Sequence, residues 1–224
     1  MSSKDGGFEA RFGHVFRDRD RYALALTHAS SGGGNNYERL EFLGDRVLGL
    51  VIAELLYDHF PAESEGDLAR RHAALVSGAT LAGVAARLDL AEVLKLSDAE
   101  RATGGARNDN ILADVMEALI GALYMEAGVE TCKKIIAHLW RDILHKMDKP
   151  PRDPKTALQE WAQGRGLKLP AYTVSDRDGP DHAPVFTITV TVEGFAPERG
   201  EGPSRRQAEK AAALALLARL EERG

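Results

Sequence analysis

Apolar positions recur every three or four residues from Phe8 to about Lys146, and every second residue in Pro184–Glu193. The first period predicts helices that bury one face, and the second predicts a half-buried strand. Short helices are expected at Phe8–Phe16 and Arg21–Thr27, ahead of a flexible SSGGGNN loop. A long apolar helix runs from Glu38 to about His59, closing before Pro61. Start signals at Ser64–Asp67 open a helix to about Ser77, Thr80–Leu88 is helical, and Ala91–Leu96 is a shorter turn. After a polar segment with Gly104 and Gly105, a second apolar helix spans Asn108–Gly128. Gly128 stops it, and Val129–Met147 forms the last helix of this part.

The stretch DKPPRDP, residues 148–154, holds three prolines and four charges with nothing to bury, and reads as a linker. Beyond it, Asp153 caps and Pro154 opens a helix reaching about Arg165. Strands follow at Leu169–Val174, Pro184–Glu193 and about Phe195–Gly200, then a final helix at Ser204–Glu222. In the middle strand Phe186, Ile188, Val190 and Val192 share one face, opposite Thr187, Thr189, Thr191 and Glu193. The expected fold is multidomain. An all-α domain covers residues 1–147, a linker 148–154, and a small α+β domain of order α-β-β-β-α residues 155–224.

The long helices carry more than apolar faces. In ERLEFLGDRVLGL, Glu38, Glu41 and Asp45 are spaced by three and four residues and fall on one face. Like charges so spaced repel by roughly 0.2–0.5 kcal/mol per pair on an exposed helix, and within an apolar helix unpaired carboxylates cost more. Arg39 and Arg46, at i+1 positions, are expected to point off this stripe, which makes a metal ion the economical counter-charge. Asp114 and Glu117 form a second pair one turn apart, among Ile111, Leu112, Val115, Met116, Leu119 and Ile120. Either pair alone also fits a solvated face or an N-terminal charge complement. Packed together, the two helices bring Glu41, Asp45, Asp114 and Glu117 into an all-oxygen set, which selects hard cations such as Mg²⁺ or Mn²⁺.

Length and charge narrow the setting. The chain has 224 residues and a net charge of −5, so bulk charge gives no nucleic-acid signal and any such affinity must come from local clusters. Cys132 is the only cysteine, which excludes an intrachain disulfide, fits a reducing compartment and reads as a core thiol. The opening MSSKDGGFEARFG has no apolar stretch and is not expected to act as a secretory signal, and the longest apolar run, Val47–Tyr57, is short and interrupted by Glu54. A cytoplasmic protein without a membrane partner is expected.

The second domain holds three local features. Thr156, Gln159 and Gln163 share one helix face, suited to 2′-hydroxyls and base edges in a shallow minor groove, though also to plain solvation. Gly179-Pro180-Asp181-His182 makes a turn that sets His182 at a loop tip. Ser204-Arg205-Arg206 opens the final helix, with Lys210 a turn later; cations there oppose the helix dipole unless a phosphate joins them.

ERLEFLGD, followed by ILADVMEALIG, resembles the signature of the ribonuclease III family of double-stranded-RNA endonucleases. DPKTALQEWAQ, GPDHAPVF and GEGPSRRQAEKAAA resemble, in order, the contact regions of the double-stranded-RNA-binding domain. The resemblance spans nearly the whole chain. It implies Mg²⁺, with Mn²⁺ as substitute, held by Glu41, Asp114 and Glu117, with Asp45 and Glu117 the most critical for catalysis. Glu38 and Glu65 match supporting acids of the cutting cleft. Gln159, Glu160 and Gln163 would approach one minor groove and His182 the next, with Arg205, Arg206 and Lys210 on the phosphates between. It further implies a homodimer, 5′-phosphate and 3′-hydroxyl ends with short 3′ overhangs, and processing of ribosomal and messenger RNA.

Phe42 falls at the family's dimer-interface aromatic, and within the sequence alone is equally a core residue. Two departures stand out: Tyr37 replaces a common Asn, and His72 stands where relatives often carry Arg, beside Arg70 and Arg71. Neither is expected to touch the four carboxylates. Two other functions share parts of this pattern, a duplex-RNA-binding protein that does not cut and a di-metal hydrolase of a small molecule.

Overall fold

In the computed structural model of the protein, residues 3–32, 34–180 and 184–221 are described. The chain divides into two compact units, Met1–Pro151 and Arg152–Gly224. The first is all-helical: α1 (Ser3–Phe12), α2 (Arg19–Ala25), α3 (Glu38–His59), α4 (Glu65–Leu75), α5 (Gly78–Arg87), α6 (Asp98–Ala102) and α7 (Asp109–His145). Its core gathers Phe8, Phe12, Phe16, Leu48, Ile52, Leu56, Leu119, Leu123, Ile136 and Trp140 around the α3–α7 contact.

Several boundaries differ from the sequence expectation, for physical reasons. The first helix covers Ser3–Phe12 instead of Phe8–Phe16. Gly13 adopts φ +90, ends the helix, and lets Phe16 fold back beside Phe12 at 5.7 Å between ring centroids. Ala91–Leu96 contributes only a 3₁₀ turn, Leu90–Glu92, whereas the polar segment after it forms α6. There Ser97 accepts the Glu100 N–H as an N-cap. In α7 the break falls at Gly128, whose φ of 74 and ψ of 177 interrupt helical geometry between two helical segments. The α7 segment beyond it is tied down by the Trp140 indole N–H donating to Leu75 O at 2.9 Å.

Arg71 anchors the end of this unit. Fully buried, it makes a bidentate pair with Glu63, donates to Met147 O and stacks over the Phe60 ring at 3.8 Å. The second unit is α8 (Pro154–Gln163), β1 (Ala171–Asp178), β2 (Val185–Thr191), β3 (Glu198–Gly202) and α9 (Arg205–Glu221). The strands form one antiparallel sheet in the order β1-β2-β3, with a bulge between Val174 and Asp176. Ile188, Val190 and Val192 bury against Leu158, Ala162, Ala208, Ala212 and Leu216. The alternation read in the middle strand is thus the sheet's core face. Among the described residues, no helix is long and apolar enough to cross a membrane.

Candidate active site and nucleic-acid interface

The first carboxylate helix begins where Asn36 Oδ1 accepts the Glu38 N–H at 3.0 Å. The second begins where Asn108 Oδ1 accepts the Asn110 N–H. What brings them together is the absence of side chains at the crossing. A Cβ on Gly44 would lie 1.8 Å from the Glu117 carbonyl oxygen, and one on Gly121 would lie 2.3 Å from that of Leu40. Only glycine permits this backbone approach. Gly44 sits inside the ERLEFLGD signature, and its role at the crossing escaped the spacing argument.

Across this contact Glu41, Asp114 and Glu117 act on one another. Burial pushes the Glu117 carboxyl up to about 7, reinforced by the negative charges of Glu41 and Asp114 and opposed by Arg46. Glu41 is raised by burial, then by Asp114 and Glu38. Asp114 is raised by burial and pulled back by the Tyr37 hydroxyl and by His28. Three half-buried carboxylates, two of them raised further by neighbouring negative charge, are short of positive charge. Their all-oxygen donor set matches a hard divalent cation, which would supply the missing positive charge. Among the described residues no group of three or more His, Cys, Asp and Glu is already set to hold an ion, so the fit rests on the donor chemistry and on the negative charge around Glu41 and Glu117.

Two expectations fail here. Arg46 does not point off the stripe: its guanidinium contacts the Asp45 carboxylate and lies 5.4 Å from the Phe42 ring centroid. The long arginine stem reaches back past its own Cβ direction, so an i+1 position did not exclude contact. Tyr37 does touch the carboxylates: its hydroxyl donates to Asp114 Oδ2 at 3.3 Å. His72 behaves as expected; its ring Nε2 donates to Gly49 O at 2.9 Å, bracing α4 on α3. Arg71 cannot replace a cleft cation there, because it is committed to Glu63.

Glu38 is exposed and lines a cavity of about 430 Å³ with Arg21, Asn36, Leu43 and Met125. Glu65 is exposed in the first turn of α4, on another helix. Phe42 is 68 % exposed, which sets aside the reading of it as a core residue of its own unit. Cys132 is buried and its thiol is pushed up to about 11 by desolvation, as an unreactive core residue.

In the second unit Thr156, Gln159, Glu160 and Gln163 all stand exposed on α8, while Leu158 and Ala162 face the core. Arg205, Arg206 and Lys210 are exposed or half-exposed on the first turns of α9. The conflict of these cations with the helix dipole is partly relieved within the chain. Arg205 pairs with Glu209 at 3.1 Å and Lys210 with Asp153 at 2.7 Å. A phosphate is therefore not the only resolution. His182 lies outside the described residues.

Residues 18–143 match the Ribonuclease-III-like family, and residues 154–220 match the double-stranded RNA binding motif. Ribonuclease 3 of Caulobacter vibrioides (strain NA1000 / CB15N) is 52 % identical over 219 residues, 96 % of this chain and 95 % of that protein. Ribonuclease 3 of Cereibacter sphaeroides (strain ATCC 17025 / ATH 2.4.3) is 49 % identical over 225 residues, 100 % of this chain and 98 % of that protein. A structure of the ribonuclease III nuclease domain from Campylobacter jejuni, described for flexibility in its dimer-forming region, superposes with a TM-score of 0.60. It is 41 % identical and covers 61 % of this chain and 95 % of that one. With a nuclease unit and a duplex-RNA-binding unit in this order, the chain belongs to the ribonuclease III family of endoribonucleases.

Proposed function

We propose that the protein hydrolyses phosphodiester bonds of double-stranded RNA at the α3–α7 carboxylates, with Mg²⁺ as the working ion and Mn²⁺ as a substitute. The single observation carrying this reading is the gathering of Glu41, Asp114 and Glu117, each raised by burial and the two glutamates raised further by neighbouring carboxylates, at a crossing that only glycine permits. When bound, a divalent cation supplies charge for the transition state and lowers the pKa of its water. Glu41, Asp114 and Glu117 would hold it. Asp45, oriented by Arg46, and Glu117 are the side chains on which turnover depends most. Glu38 and Glu65 serve as supporting acids that shape the field of the cleft.

The second unit positions the substrate. Thr156, Gln159, Glu160 and Gln163 form an exposed polar stripe for one minor groove, with His182 for the next and Arg205, Arg206 and Lys210 for the phosphates between. Shape is read more than sequence. Two copies act together in this account. Exposed Phe42, Leu50 and Tyr57 share one face of α3, an apolar stripe suited to a second copy of the chain. Ribosomal and messenger RNA precursors in the cytoplasm are the substrates this reading implies.

The test is a long perfect RNA duplex incubated with the full chain, in Mg²⁺ and in EDTA, with the product ends mapped. Short duplexes with 5′-phosphates, 3′-hydroxyls and short 3′ overhangs, formed only with the metal, are expected. Tight binding without cleavage in either Mg²⁺ or Mn²⁺ contradicts the catalytic reading and leaves an RNA-binding protein.

A further inference from the structure

Tyr37 is anchored at both ends. Its ring is only 4 % exposed, with the His28 ring 5.7 Å away between centroids. Its backbone N–H donates to Thr27 O, and its carbonyl accepts the N–H of Glu41 at 2.9 Å, so it begins the helix that carries Glu41. At the other end its hydroxyl donates to Asp114 Oδ2, on the opposing helix. His28 is itself fixed, with Nδ1 accepting the Ser30 N–H at 3.1 Å. The side chain thus joins the two carboxylate helices through a path that needs no ion.

We propose that Tyr37 is a positioning residue for the nuclease reaction, holding one oxygen of Asp114 so that the other is presented to a divalent cation. This rests on the reading of Glu41, Asp114 and Glu117 as cation-holding residues. Toward an ionised carboxylate a tyrosine hydroxyl only donates, so the contact has one sense. At 3.3 Å it is longer than the usual O–H···O bond, leaving room to shorten as Asp114 becomes fully engaged. A purely structural role makes a different forecast. A buried hydroxyl needs some partner, and Asp114 would then be that partner without affecting what Asp114 binds. Outer hydrogen bonds to a ligating carboxylate, by contrast, set affinity as well as orientation.

The experiment uses the full chain without RNA, as wild type, Tyr37→Phe and Asp114→Asn. Mn²⁺ affinity is titrated by electron paramagnetic resonance; duplex-RNA affinity and the melting midpoint are measured in EDTA. Phenylalanine keeps the buried ring and removes only the hydroxyl. The proposal expects Tyr37→Phe to weaken Mn²⁺ binding by about 10-fold, the lower end of typical outer-shell effects. RNA affinity in EDTA stays at the wild-type value, and the Mg²⁺ concentration giving half-maximal cleavage rises in step. Partial unfolding would lower the number of Mn²⁺ bound per chain without changing the dissociation constant, so an unchanged constant overturns the proposal even if the variant is less stable. If Tyr37→Phe keeps wild-type affinity while Asp114→Asn loses it, the positioning role falls and the cation-holding role of Asp114 stands. If Asp114→Asn also binds Mn²⁺ as wild type does, both fall.

Discussion

A methyl group on Gly44 would overlap the Glu117 carbonyl, so Gly44→Ala forces α3 and α7 apart at the point where their carboxylates meet. Overpacking of this kind costs about 1–3 kcal/mol or more. Chemical denaturation of the variant should show that loss, accompanied by reduced cleavage. Glu126 makes a different forecast. Burial alone would raise its carboxyl, but the amides of Asp18 and Arg17 and the ring of His14 bring it down from 4.5 to about 2. A carboxylate whose folded pKa is depressed stabilises the fold above its unfolded pKa, and that contribution is lost as pH falls from about 4.5 towards 2. Glu126→Gln should therefore lower the melting midpoint at neutral pH, with the difference from wild type closing as the pH approaches 2. The candidate carboxylates were legible because helical spacing of three and four fixes which residues share a face. The contacts of Arg46 with Asp45 and of Tyr37 with Asp114 were not, because long side chains choose rotamers from packing that sequence spacing does not contain.

Two cations in the first turns of α9 are already engaged: Lys210 with Asp153, and Arg205 with Glu209, which also takes Lys155 at 2.5 Å. If duplex RNA takes Lys210, as proposed, it must displace Asp153. Asp153→Asn should thus tighten RNA binding and steepen the plot of log affinity against log salt by up to about one unit, while Arg206→Ala should flatten it by about the same amount. Binding in EDTA at several salt concentrations measures both. The long helices and the alternating strand were readable because their periodicity extends over many residues. The short elements were not, since a few buried contacts outweigh local propensity. Helix α1 runs through Gly6 and Gly7 because Phe8 and Phe12 bury beneath it. Ser97 and Glu100 do carry the capping-box spacing, the signal from which α6 could have been found.

Family membership follows from matches to both units, and the proposed function seats a second copy on the exposed stripe of α3. Replacing Phe42 by Glu puts a charge in that stripe. If the stripe is the dimer contact, light scattering should find one chain per particle in place of two, with the unit itself still folded because Phe42 is not part of its core. An unchanged mass would place the contact elsewhere. The division into a nuclease and a duplex-binding unit also gives the most direct test of the whole account, which is Glu117→Gln assayed in parallel for cleavage in Mg²⁺ and for duplex binding in EDTA. The account predicts wild-type binding with cleavage reduced by more than about 100-fold, beyond the range of outer-shell changes. Undiminished cleavage would show that the α3–α7 carboxylates are not the catalytic centre.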